Sequence, residues 1–357
     1  METRISSAPA RRDYIDVLKG FGILCVVTGH FCEYHRGTLP QINALFECIY
    51  LFHMPLFCMA SGLVARFNPR KILLQQVWLY FLSQAVMLCF RVICMRDAVT
   101  LLDFFVPWRH MWYLYSLILW SVTLPLLQAA RRLPLPGRFA ALAAAVGVGL
   151  AGGLVDWTFS LGRVFSFFPF FAFGVLFSDW MDRWNDTAAR HRPLRAILLA
   201  GLLVFYGLTF RYVMHRPEPA FEGERLFQSA SYAAGNYTMA DRAVFYLVGT
   251  VTVLVMIGLA AGRPHLAALG QRTLPVYILH MPLYELMILL GCYQITAEKG
   301  WEGVLLWLGC FIPGALCALS SWPVWQATDC LCNLWYKTLP GLVRRLRQRL
   351  AGTGKAR

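Results

Sequence analysis

The sequence predicts an all-α polytopic membrane protein with about ten transmembrane helices and both termini in the cytoplasm. Three observations predict it. Hydrophobic residues make up 58% of the 357 and charged residues only 15%, against roughly 25% charged in a soluble globular chain. The apolar residues are gathered into long runs, most of them near the ~20 residues that a helix needs to cross a bilayer. The 33 Lys and Arg are divided unevenly among the segments between those runs, as expected when cations collect on the cytoplasmic side.

These runs divide the chain into a cytoplasmic N-terminal segment (1–13), a transmembrane domain (14–325) and a basic cytoplasmic tail (326–357). Within the domain, spans are expected at roughly 14–33, 44–65, 72–91, 110–130, 138–155, 164–180, 194–211, 243–261, 272–292 and 302–325. The least regular is 44–65, which holds Glu47 and His53. With the N-terminus inside, the inner segments carry 22 Lys and Arg and the outer ones 10, while Lys19 lies within the first span. The first dozen residues are basic, as in a signal peptide. No small-x-small cleavage site follows, however, and the run contains Asp16 and Lys19, so a retained signal-anchor helix is expected. In the tail, LVRRLRQRL from Leu342 reads as a basic amphipathic helix on the anionic inner leaflet. The outer loop at about 212–242, with Glu218, Glu222, Glu224 and Asp241, reads equally as a lid, an acceptor-recognition surface or an ordinary solvated loop.

Composition and missing motifs exclude several functions. The net charge of +14 is not concentrated in a basic soluble domain, so no nucleic-acid partner is expected. The eleven Cys are scattered and mostly sit in apolar segments, where Cys behaves as a small hydrophobe. There is no Cys-x-x-Cys, and Cys330-x-Cys332 alone is too little for a metal site, so neither disulfides nor a metal are expected. The chain also lacks a Gly-x-x-x-x-Gly-Lys phosphate loop, a Gly-x-Ser-x-Gly elbow and a His-Glu-x-x-His pair. Any reaction must be run by histidines and carboxylates inside the membrane.

The first span carries the strongest signal. Lys19 and His30 are eleven residues apart, which is three helical turns, roughly 16 Å, and only about 20° off register. Asp16 lies one turn before Lys19 and can pair with it. A carboxylate, an ammonium and an imidazole thus share one stripe. Snorkelling of Asp16 and Lys19, with His30 bonded to a neighbouring helix, is the bland alternative. Ionisable groups at membrane depth are costly, however, and three on one face favour a functional role.

Other spans add candidates. In Phe52-His53-Met54-Pro55-Leu56-Phe57, Pro55 cannot donate to the Leu51 carbonyl and kinks the helix beside His53. Freed backbone at that depth persists only where protein or water satisfies it. Ser61-Gly62-Leu63 ends the same span. Tyr277-Ile278-Leu279-His280-Met281-Pro282-Leu283 repeats His-Met-Pro-Leu in a helix of opposite direction, which hints only weakly at the inverted repeats of transporters. Trp108-Arg109-His110-Met111-Trp112-Tyr113-Leu114 reads as an interfacial aromatic belt, with Trp112 and Tyr113 equally placed to stack on a sugar. Arg163 precedes a Phe-rich stripe at 165–173; the stripe reads as packing, and Arg163 either snorkels or meets an anionic group.

Asp-x-Leu-Lys-Gly at 16–20, followed by small and branched residues up to Gly29-His30, resembles the start of integral-membrane acyltransferase family three, in its fucose 4-O-acetylase-like branch. The Phe-His-Met-Pro, Ser-Gly, Trp-Tyr-Leu and Tyr-x-x-His-x-Pro segments extend the resemblance over most of the membrane domain. The common family pattern is an Arg, ten residues, then the His. Lys19 stands here in place of the Arg and lacks its planar bidentate fork. The resemblance implies an O-acyltransferase, most simply an O-acetyltransferase, in a bacterial cytoplasmic membrane. Its donor would be acetyl-CoA, without a metal. Its acceptor would be a hydroxyl of a cell-surface or lipid-linked carbohydrate. It implies His30, Asp16 and Lys19 as catalytic, with His30 a general base or an acyl carrier. Asp16 would orient Lys19 toward an anionic part of the CoA. His53, Ser61, Trp112, Tyr113, Arg163 and His280 would bind substrate, with His53 and His280 completing the cavity or stabilising the developing oxyanion. Unlike some family members, the chain has no appended soluble esterase-like domain, so one protein is expected to complete the transfer unless a separate partner does so. The same polar residues also suit a proton-coupled transporter or flippase, or a non-catalytic member of a polysaccharide assembly complex. The sequence leaves the oligomeric state open.

Overall fold

A computed structural model describes residues 12–35, 39–154, 158–215, 231–234, 237–292, 294 and 298–353. Among these, every regular element is helical. The helices are α1 (Asp13–Tyr34), α2 (Pro40–Tyr50), α3 (His53–Val64), α4 (Pro69–Met95), α5 (Trp112–Arg131), α6 (Leu135–Ala151) and α7 (Leu161–Leu176). They continue as α8 (Ser178–Arg190), α9 (Arg192–Met214), α10 (Met239–Leu259), α11 (Pro264–Gly270), α12 (Thr273–Leu289), α13 (Trp301–Leu319) and α14 (Trp322–Thr353). Eight of the described helical segments are long and apolar enough to cross a membrane. The other two expected spans are α7, of 16 residues, and α12, of 17. The chain is thus a multi-pass all-α membrane protein.

Burial ranks the spans. Within its most apolar window α1 is 72% buried, whereas α9 is only 6% buried, so α1 runs through the interior and α9 lies at the periphery, packed through residues such as Leu202 and Tyr206. After α7 the chain turns by 72° into α8, whose Asp- and Arg-rich sequence cannot continue a lipid-facing helix.

The second span is broken, as Pro55 requires, but the break falls before His53 rather than at the proline. Phe52 leaves helical geometry (φ −137°, ψ −21°) and α3 starts afresh. The His53 imidazole donates at 2.9 Å to the Ile49 carbonyl, which also accepts the Phe52 N–H at 3.2 Å, so this carbonyl stays satisfied across the break. His280 also donates Nδ1–H four residues back, to the Val276 carbonyl at 2.9 Å, but inside the unbroken α12. The two His-Met-Pro-Leu segments therefore share a side-chain device and differ in backbone.

Glycines set the closest helix approaches. A Cβ built on Gly62 would lie 2.2 Å from the Phe171 carbonyl oxygen, and one on Gly174 would lie 2.3 Å from that of Met59, so α3 and α7 meet backbone to backbone. Gly20 and Gly270 bring α1 and α11 together in the same way. Small residues at such crossings are how membrane helices gain packing without a hydrophobic driving force. Gly174→Val should cost about 1–3 kcal/mol or more, because the clash is with main chain that no rotamer change relieves. A fall in melting temperature of the detergent-solubilised protein would register it; an unchanged value would mean that α3 and α7 can slide apart freely.

The C-terminal boundary differs from expectation. The last span ends at Leu319, Ser320 and Ser321 form the turn, and α14 starts at Trp322. Its first half docks on α4 through Gln75 Nε2 donating to Asn333 (2.6 Å) and Trp78 Nε1 donating to the Leu331 carbonyl (2.8 Å). The side chains of LVRRLRQRL, and Glu218, Glu222 and Glu224 of the outer loop, lie outside the described residues.

Candidate active site

Near its C-terminal end, α1 places His30 and Glu33 one turn apart on one face. The break after α2 brings in His53, with Tyr50 just before it. The short turn Arg109–Met111 leads into α5 and adds His110, Trp112 and Tyr113. Arg163 and Phe167 come from the start of α7, and Tyr277 and Met281 from α12. These side chains line a cavity of about 250 Å³. His280 stands just behind it, its ring centroid 5.2 Å from that of His30 and 4.9 Å from that of His110.

Hydrogen bonds assign the imidazole tautomers, since an oxygen that only accepts must face an N–H. His30 Nδ1 lies 3.1 Å from a carboxylate oxygen of Glu33, and the Tyr50 hydroxyl donates to that same oxygen at 3.0 Å. Nδ1 of His30 therefore carries the proton, and Nε2 carries the lone pair. His53 and His280 donate their Nδ1–H to main-chain carbonyls, so their Nε2 atoms are acceptors too. His110 differs: it is buried, and neither ring nitrogen has a hydrogen-bond partner among the described residues. A carboxylate that orients a histidine so that its far nitrogen is basic is the arrangement that activates a hydroxyl in nucleophilic catalysis.

The remaining candidates divide around this centre. Trp112 lies in the wall with the Arg163 guanidinium 5.7 Å from its ring centroid. Tyr113 is also in the wall, and Ser61 holds it from behind, the two hydroxyls 2.6 Å apart. Asp16 and Lys19 are elsewhere. They line a second, polar cleft of about 1070 Å³ at the N-terminal end of α1, together with Arg12, Arg66, Arg131, Arg132 and Arg138. The stripe Asp16–Lys19–His30 is thus divided between two cavities, and the carboxylate that meets His30 is Glu33. Sequence reasoning missed Glu33, although its spacing of three from His30 was a usable signal. It also passed over His110, which was absorbed into the aromatic belt.

A multi-pass helical protein thus holds a histidine–carboxylate pair facing an internal cavity and a cation-lined cleft at the other end of the same helix. The chain is a member of integral-membrane acyltransferase family three: the family's model, described as an acyltransferase domain, matches residues 12–322. It is similar to the nodulation protein NolL of Mesorhizobium japonicum, 26% identical over 302 residues that cover 77% of each chain. It is also similar to the nodulation protein NolL of Sinorhizobium fredii, 25% identical over 368 residues that cover 93% of each. No solved structure matches it. The protein is therefore a membrane acyltransferase.

Proposed function

We propose that this acyltransferase moves an acetyl group from acetyl-CoA, bound at the cytoplasmic face, to a hydroxyl of a cell-surface or lipid-linked carbohydrate in a bacterial cytoplasmic membrane. The observation that carries the reading is the Glu33–His30 pair, whose basic Nε2 is left available beside the cavity. A carbohydrate hydroxyl is a poor nucleophile at neutral pH, and a positioned base that removes its proton during attack contributes typically ~10²–10⁴-fold. Trp112 and Tyr113 offer aromatic faces to a sugar ring, and Arg163 offers a cation. In their neutral tautomers His53 and His280 accept hydrogen bonds, which suits them to completing the cavity and receiving hydroxyl protons rather than to holding an oxyanion.

The second cleft suits the donor. Arg12, Lys19, Arg66, Arg131, Arg132 and Arg138 gather there, and cations of this density match the phosphates of a coenzyme A head. The cation-rich loops at this end suit a cytoplasmic position. About 16 Å of helix separates Lys19 from His30, a gap suited to a slender, uncharged pantetheine arm. Replacing Arg66 and Arg132 together with Gln should raise the KM for acetyl-CoA about tenfold or more with little change in kcat, since each charge-assisted phosphate contact is worth about 1.5–3 kcal/mol. Initial rates against acetyl-CoA concentration test this, and an unchanged KM would remove the cleft as the donor site.

The experiment that tests the reading as a whole uses sealed inverted vesicles, radiolabelled acetyl-CoA and the host's cell-envelope glycan fraction. Label is expected in the glycan with the wild-type protein and not with His30→Ala. Unlabelled glycan, with substrate merely crossing the membrane, would replace the acetyltransferase by a transporter.

A further inference from the structure

We propose that His110 is a further catalytic residue, the donor that holds the carbonyl oxygen of the acyl thioester as negative charge develops on it. The inference rests on the acyltransferase reading above and goes beyond it in assigning the oxyanion contact.

The argument begins with the other histidines. His30, His53 and His280 each commit Nδ1–H, to Glu33 or to the Ile49 and Val276 carbonyls. The hydroxyls of Tyr50, Tyr277 and Tyr113 are likewise engaged, with Glu33, the His110 carbonyl, and Phe57 and Ser61 respectively. His110 lines the cavity, is 5% exposed, and has both ring nitrogens without a hydrogen-bond partner among the described residues. A neutral imidazole always presents one N–H and one lone pair, and leaving both unmade in a buried place is costly unless a ligand completes them.

The surrounding structure holds the ring in place. Tyr277 donates its hydroxyl to the main-chain carbonyl of His110. Arg109, one residue earlier, adopts left-handed backbone (φ 45°) and pairs with Glu285 at 3.2 Å. Non-glycine residues rarely adopt that conformation, and those that do cluster at functional sites. The His110 ring centroid is 6.4 Å from that of His30, so one acyl group between the two rings can meet a base on one side and a donor on the other.

The step then balances as follows. The acceptor hydroxyl oxygen forms a bond to the acyl carbon, and its proton passes to His30 Nε2. The carbonyl π pair moves onto oxygen, where the His110 N–H stabilises it. When that pair returns, the carbon–sulfur bond breaks and the thiolate of coenzyme A leaves, taking the proton from the His30 imidazolium. A preorganised donor of this kind acts on the transition state more than on the bound substrate.

The test uses full-length protein in lipid vesicles with acetyl-CoA and the glycan acceptor, comparing wild type with His110→Leu, His110→Gln and His110→Ala. His110→Leu should lose about 10²–10³-fold in kcat, as when one oxyanion donor is removed, with both KM values within about twofold of wild type. His110→Gln, which keeps an N–H, should recover at least tenfold of that loss, and added imidazole should partly restore His110→Ala. The proposal is overturned if His110→Leu stays within about threefold of wild type. It is equally overturned if neither Gln nor imidazole recovers any kcat in variants that keep the wild-type melting temperature. Absence of transfer by the wild type would overturn the acyltransferase reading itself, which the other two outcomes leave standing.

Discussion

Replacing His30 with alanine should lower kcat for acetyl transfer by about two to four orders of magnitude, the typical contribution of a positioned general base. His30 is the cavity histidine whose Nδ1 is held by a carboxylate, Glu33 at 3.1 Å, rather than by main chain. Its Nε2 therefore keeps the lone pair on the cavity side, where a hydroxyl can reach it. The binding of acetyl-CoA should be unaffected, because Lys19 and the arginines around it lie three turns away along α1. Single-turnover rates together with equilibrium binding of coenzyme A would separate the two effects. Wild-type kcat in His30→Ala would remove the base. Loss of both rate and binding would mean that the two cavities are not independent.

Glu33→Gln should be nearly as damaging, by about 10²–10⁴-fold in kcat, although it keeps the size and shape of the side chain. The carboxylate only accepts, so it fixes the His30 proton on Nδ1. A glutamine can present its NH₂ to Nδ1 instead, which puts the proton on Nε2 and removes the base by tautomer alone, as the neutral-amide substitution does in a hydrolase triad. Glu33→Asp, which stays anionic but is shorter, should retain part of the activity. Asp16 supplies the contrast. Asp16→Asn, in the cation-lined cleft, should act through the KM for acetyl-CoA and not through kcat. The four rate constants and KM values decide which carboxylate serves the histidine; normal turnover in Glu33→Gln with a lowered kcat in Asp16→Asn would reverse the assignment.

These expectations also show what a single strand of sequence carries. A helix repeats every 3.6 residues, so the rotational register of Asp16, Lys19 and His30 could be read directly, and α1 does present all three on cavity-lining faces. Apolar run length revealed the spans, with α7 and α12 shorter than expected. The Pro55 rule foretold a break in the second span, and the structure sets it at Phe52, where the His53 imidazole meets the Ile49 carbonyl.

The sequence by itself determined the membrane-spanning all-helical fold and the shared register of Asp16, Lys19 and His30 on α1, and it singled out His30, His53, Trp112, Tyr113 and Arg163 of the residues that line the cavity, because these follow from local periodicity and backbone chemistry. Only the tertiary structure decided that one stripe serves two cavities, that Glu33 and not Asp16 meets His30, that Ser61 supports Tyr113 from behind, and that His110, beside His280, has no ring-nitrogen partner among the described residues. The physical reason is that depth and partners are non-local. They are set where backbones touch, at Gly20 with Gly270 and Gly62 with Gly174, and residues hundreds of positions apart come within reach of a proton only once those helices have packed.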